Sequence, residues 1–80
     1  MKINLLAFGI AKDILGLSSS EMMIEKAQSI QEFKEYLVQK YPDFENLRKF
    51  DIAVNQEYQE DNYVLEANDE VAIIPPVSGG

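Results

Sequence analysis

The chain contains no cysteine and no histidine among its 80 residues. Disulfides, thiolate chemistry, the usual general base and the commonest soft metal ligands are therefore absent. The chemistry that remains is concentrated in one stretch, Val71-Ala72-Ile73-Ile74-Pro75-Pro76-Val77-Ser78-Gly79-Gly80. Val71 to Ile74 is a short, mostly β-branched apolar run, which suits a buried strand. Pro75 and Pro76 stop it, because proline has no N–H for a sheet ladder and holds the residue before it extended. The residues from Pro75 to Gly80 reach about 20 Å at full extension. A terminal glycine pair by itself reads as a frayed end. Behind a strand, two prolines and Val77-Ser78, it reads instead as an arm that presents a carboxylate. A carboxylate is a poor electrophile until one oxygen becomes a good leaving group. An enzyme that activates it must close around it, and Gly79 and Gly80 leave room for that approach.

The run Ile74-Pro75-Pro76-Val77-Ser78-Gly79-Gly80, preceded by Asp69-Glu70-Val71-Ala72, resembles the end of the small subunit of molybdopterin synthase. That family consists of ubiquitin-like sulfur carriers with the β-grasp fold. The resemblance continues upstream in a strand, aromatic and short helix carrying Lys12-Asp13, and in Val54-Asn55-Gln56-Glu57-Tyr58. It departs at Asn68, where many relatives have glycine. Asparagine tolerates left-handed geometry better than most residues, so the turn is expected to survive.

The resemblance implies an α+β, β-grasp (ubiquitin-like) fold, with a mixed sheet of about five strands and one main helix. Residues 1–74 would form the domain and 75–80 an extended Gly-Gly tail. It implies that an ATP-dependent activating enzyme adenylates the Gly80 carboxylate. A persulfide-bearing sulfur donor would then replace the adenylate and leave a thiocarboxylate. The tail would enter the large catalytic subunit, in a heterotetramer, and pass its sulfur to a pterin precursor to form the molybdopterin dithiolene. Gly80 would carry the chemistry and Gly79 would give clearance. Pro75, Pro76, Val77 and Ser78 would guide the arm in the partner. The chain itself would be non-catalytic, with no metal and no bound cofactor, since ATP is used by the activating enzyme. Three alternatives stay open: a sulfur carrier for thiamine thiazole synthesis or tRNA thiolation, a ubiquitin-like protein conjugated through Gly80, and a passive ubiquitin-like binding module.

Net charge is −7, from 14 acidic and 7 basic residues. Residues 1–50 hold seven of each, whereas residues 51–80 hold seven acids and no base. A phosphate backbone is a poor partner for such a surface, so nucleic acid is not expected. The acidic half is either a solvated, solubilising face or a means of steering toward basic partner surfaces. The opening Met1–Phe8 is apolar, but Lys12 and Asp13 interrupt it too early for a signal peptide, and no stretch is long enough to span a bilayer. The expected setting is cytoplasmic, without a membrane.

The elements that must position the arm follow from local pattern. Lys2–Phe8 reads as a first strand, with Ile3, Leu5 and Ala7 on one side and Leu6 and Phe8 on the other, which suits a central strand. Ile10/Ile14 and Ala11/Leu15 are i,i+4 pairs, so a short helix should end near Gly16. Leu17–Ser20 reads as a turn and Glu21–Glu25 as a second strand, hairpin-paired with the first, with Met22 and Met23 as core or sheet-face filler. Ser29-Ile30-Gln31-Glu32 fits a capping box, which predicts a helix over 30–40. Ile30, Phe33, Leu37 and Tyr41 would form its buried stripe, and Pro42 would stop it. Asp43–Leu47 adds one more helical turn, with Phe44 and Leu47 tucked beneath. Phe50–Gln59 reads as strand, tight turn at Asn55, strand. Leu65 is a core candidate, and Glu66–Glu70 turns the chain into the last strand. The order β-β-α-β-β-β leaves one main helix to cover one face of a sheet.

Overall fold

The computed structural model describes residues 1–47 and 50–75, excluding the side chains of residues 46 and 47. The chain runs β1 (Lys2–Ala7), α1 (Gly9–Leu15), β2 (Ser19–Met23), α2 (Ile30–Lys40), a 3₁₀ turn (Pro42–Leu47), β3 (Asp51–Val54), β4 (Glu57–Tyr58) and β5 (Glu70–Ile74). The five strands form one mixed sheet in the order β2-β1-β5-β3-β4. β1 and β5 are parallel, with Leu5 opposite Val71 and Ala7 opposite Ile73. β2 pairs antiparallel with β1, and β3 pairs antiparallel with both β5 and β4.

The helix α2 forms where its sequence says it should. The Ser29 hydroxyl accepts from the Glu32 N–H at 3.1 Å, and the Glu32 carboxylate accepts from the Ser29 N–H at 2.9 Å. This reciprocal box satisfies two of the donors that a helix start leaves open. Ile30, Phe33 and Leu37 project from one stripe and are fully buried. Each such side chain contributes roughly 1.5–3 kcal/mol of apolar burial. They meet Ile3, Leu5, Ile52, Val54, Val71 and Ile73 from the sheet, with Phe44 and Leu65 closing the ends. Phe44, carried by the 3₁₀ turn, packs on Phe50 with ring centroids 5.4 Å apart. The side chain of Leu47, expected beside it, lies outside the described residues.

Among the described residues, no helix covers the other face of the sheet. Along β1 the buried residues Ile3, Leu5 and Ala7 alternate with half-buried Lys2, Asn4 and Leu6. The strand is central, as its pattern predicts, but its two faces differ in burial. β2 starts two residues earlier than its sequence predicts and includes Ser19 and Ser20. Its boundaries follow the pairing with Leu6 and Leu5 rather than its own composition. Met22 packs against the core, whereas Met23 lies opposite Lys2 and is 71% exposed.

Candidate functional site

The strand that leads to the tail is the middle of the sheet. β5 has β1 on one side and β3 on the other, so both of its edges are hydrogen-bonded. Val71 and Ile73 point into the core and are fully buried, while Ala72 on the opposite face is 7% exposed. The β-branched run suits this place, since such side chains pack well on a pleated surface between two neighbouring strands.

The start of β5 is locked by a polar cluster that spans the chain. Asp69 is the one buried charged residue among those described, at 7% exposure. One of its carboxylate oxygens accepts from the Glu66 N–H at 2.8 Å, and the other accepts from the Asn55 side-chain amide at 3.0 Å. The Asn55 side-chain oxygen in turn accepts from the Glu70 N–H at 3.0 Å. Each polar atom has its complement, so the orientation of the Asn55 amide is fixed by its partners. Asn55 and Gln56 both have positive φ, of 52° and 72°, which makes the tight turn between β3 and β4. Asn68 has φ 69°, so the left-handed turn survives without glycine. The sequence signals the turn at Asn55, but nothing in it signals that Asp69 is buried. In the acidic run Glu66–Glu70 it looks like one more solvated carboxylate.

The far end of β5 carries the predicted tail. Ile74 lies opposite Asp51 in β3, and Pro75 follows it, half-buried. Pro75 is thus the only predicted site residue within the described region. Pro76, Val77, Ser78, Gly79 and Gly80 lie outside it. Beside this root, Phe8 and Ile10 are 51% and 52% exposed. On the helix-free face, registered pairs carry an apolar row across four strands, from Leu6 to Ala72, Ala53 and Tyr58. Tyr58 at its end is 66% exposed. Most acids of the 51–75 segment point to solvent, but the segment has a cation for a neighbour: Lys34 of α2 pairs with Asp61 at 2.9 Å.

An open groove of about 630 Å³ runs between α2 and the start of β3, lined by Gln31, Lys34, Val38, Phe50 and Asp61 among others. Among the described lining residues the one lysine, Lys34, is paired with Asp61, and none is a cysteine, serine or histidine. Among the described residues, no group of three or more His, Cys, Asp or Glu side chains is placed to hold a metal ion. Among them, too, no helix is long and apolar enough to cross a membrane.

A mixed five-stranded sheet with its first and last strands parallel at the centre, and one main helix across a single face, is the ubiquitin-like β-grasp architecture. Residues 5–80 match the ThiS family, and the chain belongs to that family. It is 33% identical over 81 residues to the molybdopterin synthase sulfur carrier subunit of Arabidopsis thaliana, covering all of this chain and 84% of that one. Among solved structures, the crystal structure of SAMP1 from Haloferax volcanii superposes with a TM-score of 0.79 at 20% identity, covering all of both chains, and bears on the fold alone. A chain in the protein–protein complex of subunits 1 and 2 of molybdopterin-converting factor from Helicobacter pylori superposes with a TM-score of 0.67 at 25% identity, again over all of both chains.

Proposed function

We propose that this chain is the sulfur-carrier small subunit of a molybdopterin synthase, with the Gly80 carboxylate as its reactive group. The observation that carries this reading is the full-length similarity to a sulfur carrier subunit, which spans the tail as well as the domain. The absence of cysteine and histidine supports it, because no side chain of this protein offers a thiol to hold sulfur or an imidazole to move a proton.

In this reading an activating enzyme uses ATP to convert the carboxylate to an acyl adenylate, with loss of pyrophosphate. The terminal sulfur of a donor persulfide attacks the acyl carbon, and AMP leaves. A thiol then breaks the resulting acyl disulfide and supplies the two electrons that free the thiocarboxylate. The large subunit, in a heterotetramer with this chain, takes the tail and directs that sulfur to a pterin precursor. Gly79 keeps the approach narrow. Pro75, Pro76, Val77 and Ser78 guide and position the arm. The catalytic side chains belong to the partners, and all of the steps take place in the cytoplasm.

Even at full extension the arm spans only about 20 Å, so both partners must cover the surface around its root to hold its tip in a buried site. The exposed Phe8, Ile10 and Tyr58 provide the apolar area for such contacts. The two partners therefore compete, and the carrier travels between them.

The test is co-expression with the cognate activating enzyme and sulfur donor. The intact mass should rise by one oxygen-to-sulfur exchange, and fragmentation should place it at Gly80. Sulfur at any other residue, or Gly80 found linked to lysines of other proteins instead, overturns the reading.

A further inference from the structure

We infer that Gly9 is a positioning residue for the arm, acting through Pro75. The inference rests on the reading of the tail as the reactive arm. Ala7 and Ile73 are paired in the parallel register of β1 and β5, so Gly9 and Pro75 each stand two residues beyond the last paired position. The two chains stay side by side there. A Cβ added at Gly9 would meet the Pro75 Cγ at 3.3 Å, closer than ordinary van der Waals contact. The first residue of α1 thus abuts the first residue after β5.

What yields at such a contact decides its effect. A long side chain would swing away, but the proline ring is tied to its own backbone nitrogen, and its φ is locked near −65°. Pressure on the ring passes into the main chain at the point where the arm begins. Pro75 is the first residue of the proposed arm, so a displaced ring changes the place and direction from which the arm starts. Misplacing a reacting group by about 1 Å costs up to about a hundredfold in rate.

The molecule supplies its own control. Gly16, which closes α1, also has a positive φ of 78°, but an added Cβ there meets nothing within 4 Å. Gly9 has φ 55°. Alanine at either glycine carries left-handed backbone strain, and only at Gly9 does it also press on Pro75.

The experiment compares Gly9→Ala, Gly16→Ala, Pro75→Ala and the Gly9→Ala/Pro75→Ala pair. Three readouts are taken: the thermal midpoint, the rate of ATP-dependent adenylation by the cognate activating enzyme, and the paramagnetic relaxation of backbone amides by a spin label at Ser78→Cys. That label is unique because the chain has no cysteine. Both glycine variants should lose thermal stability, Gly9→Ala at least as much as Gly16→Ala. Only Gly9→Ala should shift the relaxation profile and lower the adenylation kcat, by about tenfold or more. Its effect on kcat should shrink in the Pro75→Ala background, because the Cγ has gone. Where Gly9→Ala does not fold, Gly9→Asn replaces it, since asparagine accepts a positive φ while still bearing a Cβ.

Equal profiles and equal rates for the Gly9 and Gly16 variants overturn the inference, as does a kcat loss that Pro75→Ala leaves untouched. If the unmodified protein is not adenylated at all but the relaxation profile still depends on residue 9, the proposed function falls while the steering of the arm by Gly9 stands.

Discussion

Replacing Asn55 by aspartate changes one atom type at the lock that starts β5. The backbone at residue 55 stays content, because Asn and Asp both tolerate positive φ. The oxygen that accepts from the Glu70 N–H is retained. The amide that donates to Asp69 at 3.0 Å becomes a second carboxylate oxygen facing the first. Loss of a hydrogen bond to a charged acceptor costs about 1.5–3 kcal/mol. Two unit charges 3.0 Å apart repel by about 1.4 kcal/mol in a water-like medium and about 5.5 kcal/mol at an effective dielectric near 20. Residue 55 is exposed and Asp69 is buried, so the repulsion falls between those limits, with rotation of the exposed side chain relieving part of it. The net loss should be about 3 kcal/mol at neutral pH, which for a domain of this size lowers the melting point by about 12–24 °C. Acid should restore much of it, because one proton shared between the two carboxylates remakes the hydrogen bond. Thermal melts of both proteins across the carboxylate pH range make the comparison. A variant that melts within about 2 °C of the parent at neutral pH, or that loses as much in acid as at neutrality, would refute the assignment of Asn55 and Asp69 as donor and acceptor.

The capping box carries its own pH signature. Hydrogen bonds from the Ser29 N–H and the Ser29 hydroxyl hold the Glu32 carboxyl below its ordinary value of 4.5, with Lys26 adding a smaller pull against slight desolvation. A lowered folded value means the stabilisation is present above 4.5 and fades as pH falls through that folded value. The gap in urea midpoint between the parent and Glu32→Gln should therefore close in acid, and a gap of constant size at pH 7 and at about pH 3 contradicts the argument. A single residue appended after Gly80 should abolish adenylation and leave the melting point unchanged; an untrimmed variant that is still activated would show that clearance at the tip is not required. Association with either partner should slow as salt rises, since the Debye length shrinks from about 10 Å at 0.1 M to about 3 Å at 1 M. On-rates that stay flat would reduce the acidic segment to a solubilising surface.

The parts of the fold that were legible in the sequence are those whose cause is local. α2 announces its start through Ser29 and Glu32, its buried face through Ile30, Phe33 and Leu37, and its end through Pro42. β5 announces itself by four apolar residues in a row. β2 was misplaced by two residues because Ser19 and Ser20 have no strand preference of their own and are extended only by pairing with β1. The burial of Asp69 was hidden for a similar reason. Its partner Asn55 lies 14 residues away, and only the folded sheet brings the two together. Of the site, the residue types of the arm were visible at once, along with the strand that bears it. The abutment of Gly9 on Pro75 was not, since it depends on the parallel register of strands from opposite ends of the chain.

That register also has a bearing on how the protein is made. A ribosome completes β1, β2, α2, β3 and β4 before it reaches β5, yet β5 separates β1 from β3 in the finished sheet. Until then the two halves of the sheet have no strand to join them, and pairings of such long sequence separation are slow to form. The sheet can close only once β5 is available to both halves. A chain broken off before Ile74 lacks not a peripheral strand but the middle of its core, and it offers proteases an open polypeptide. Loss of β5 would thus cost far more of the fold than loss of the edge strand β4.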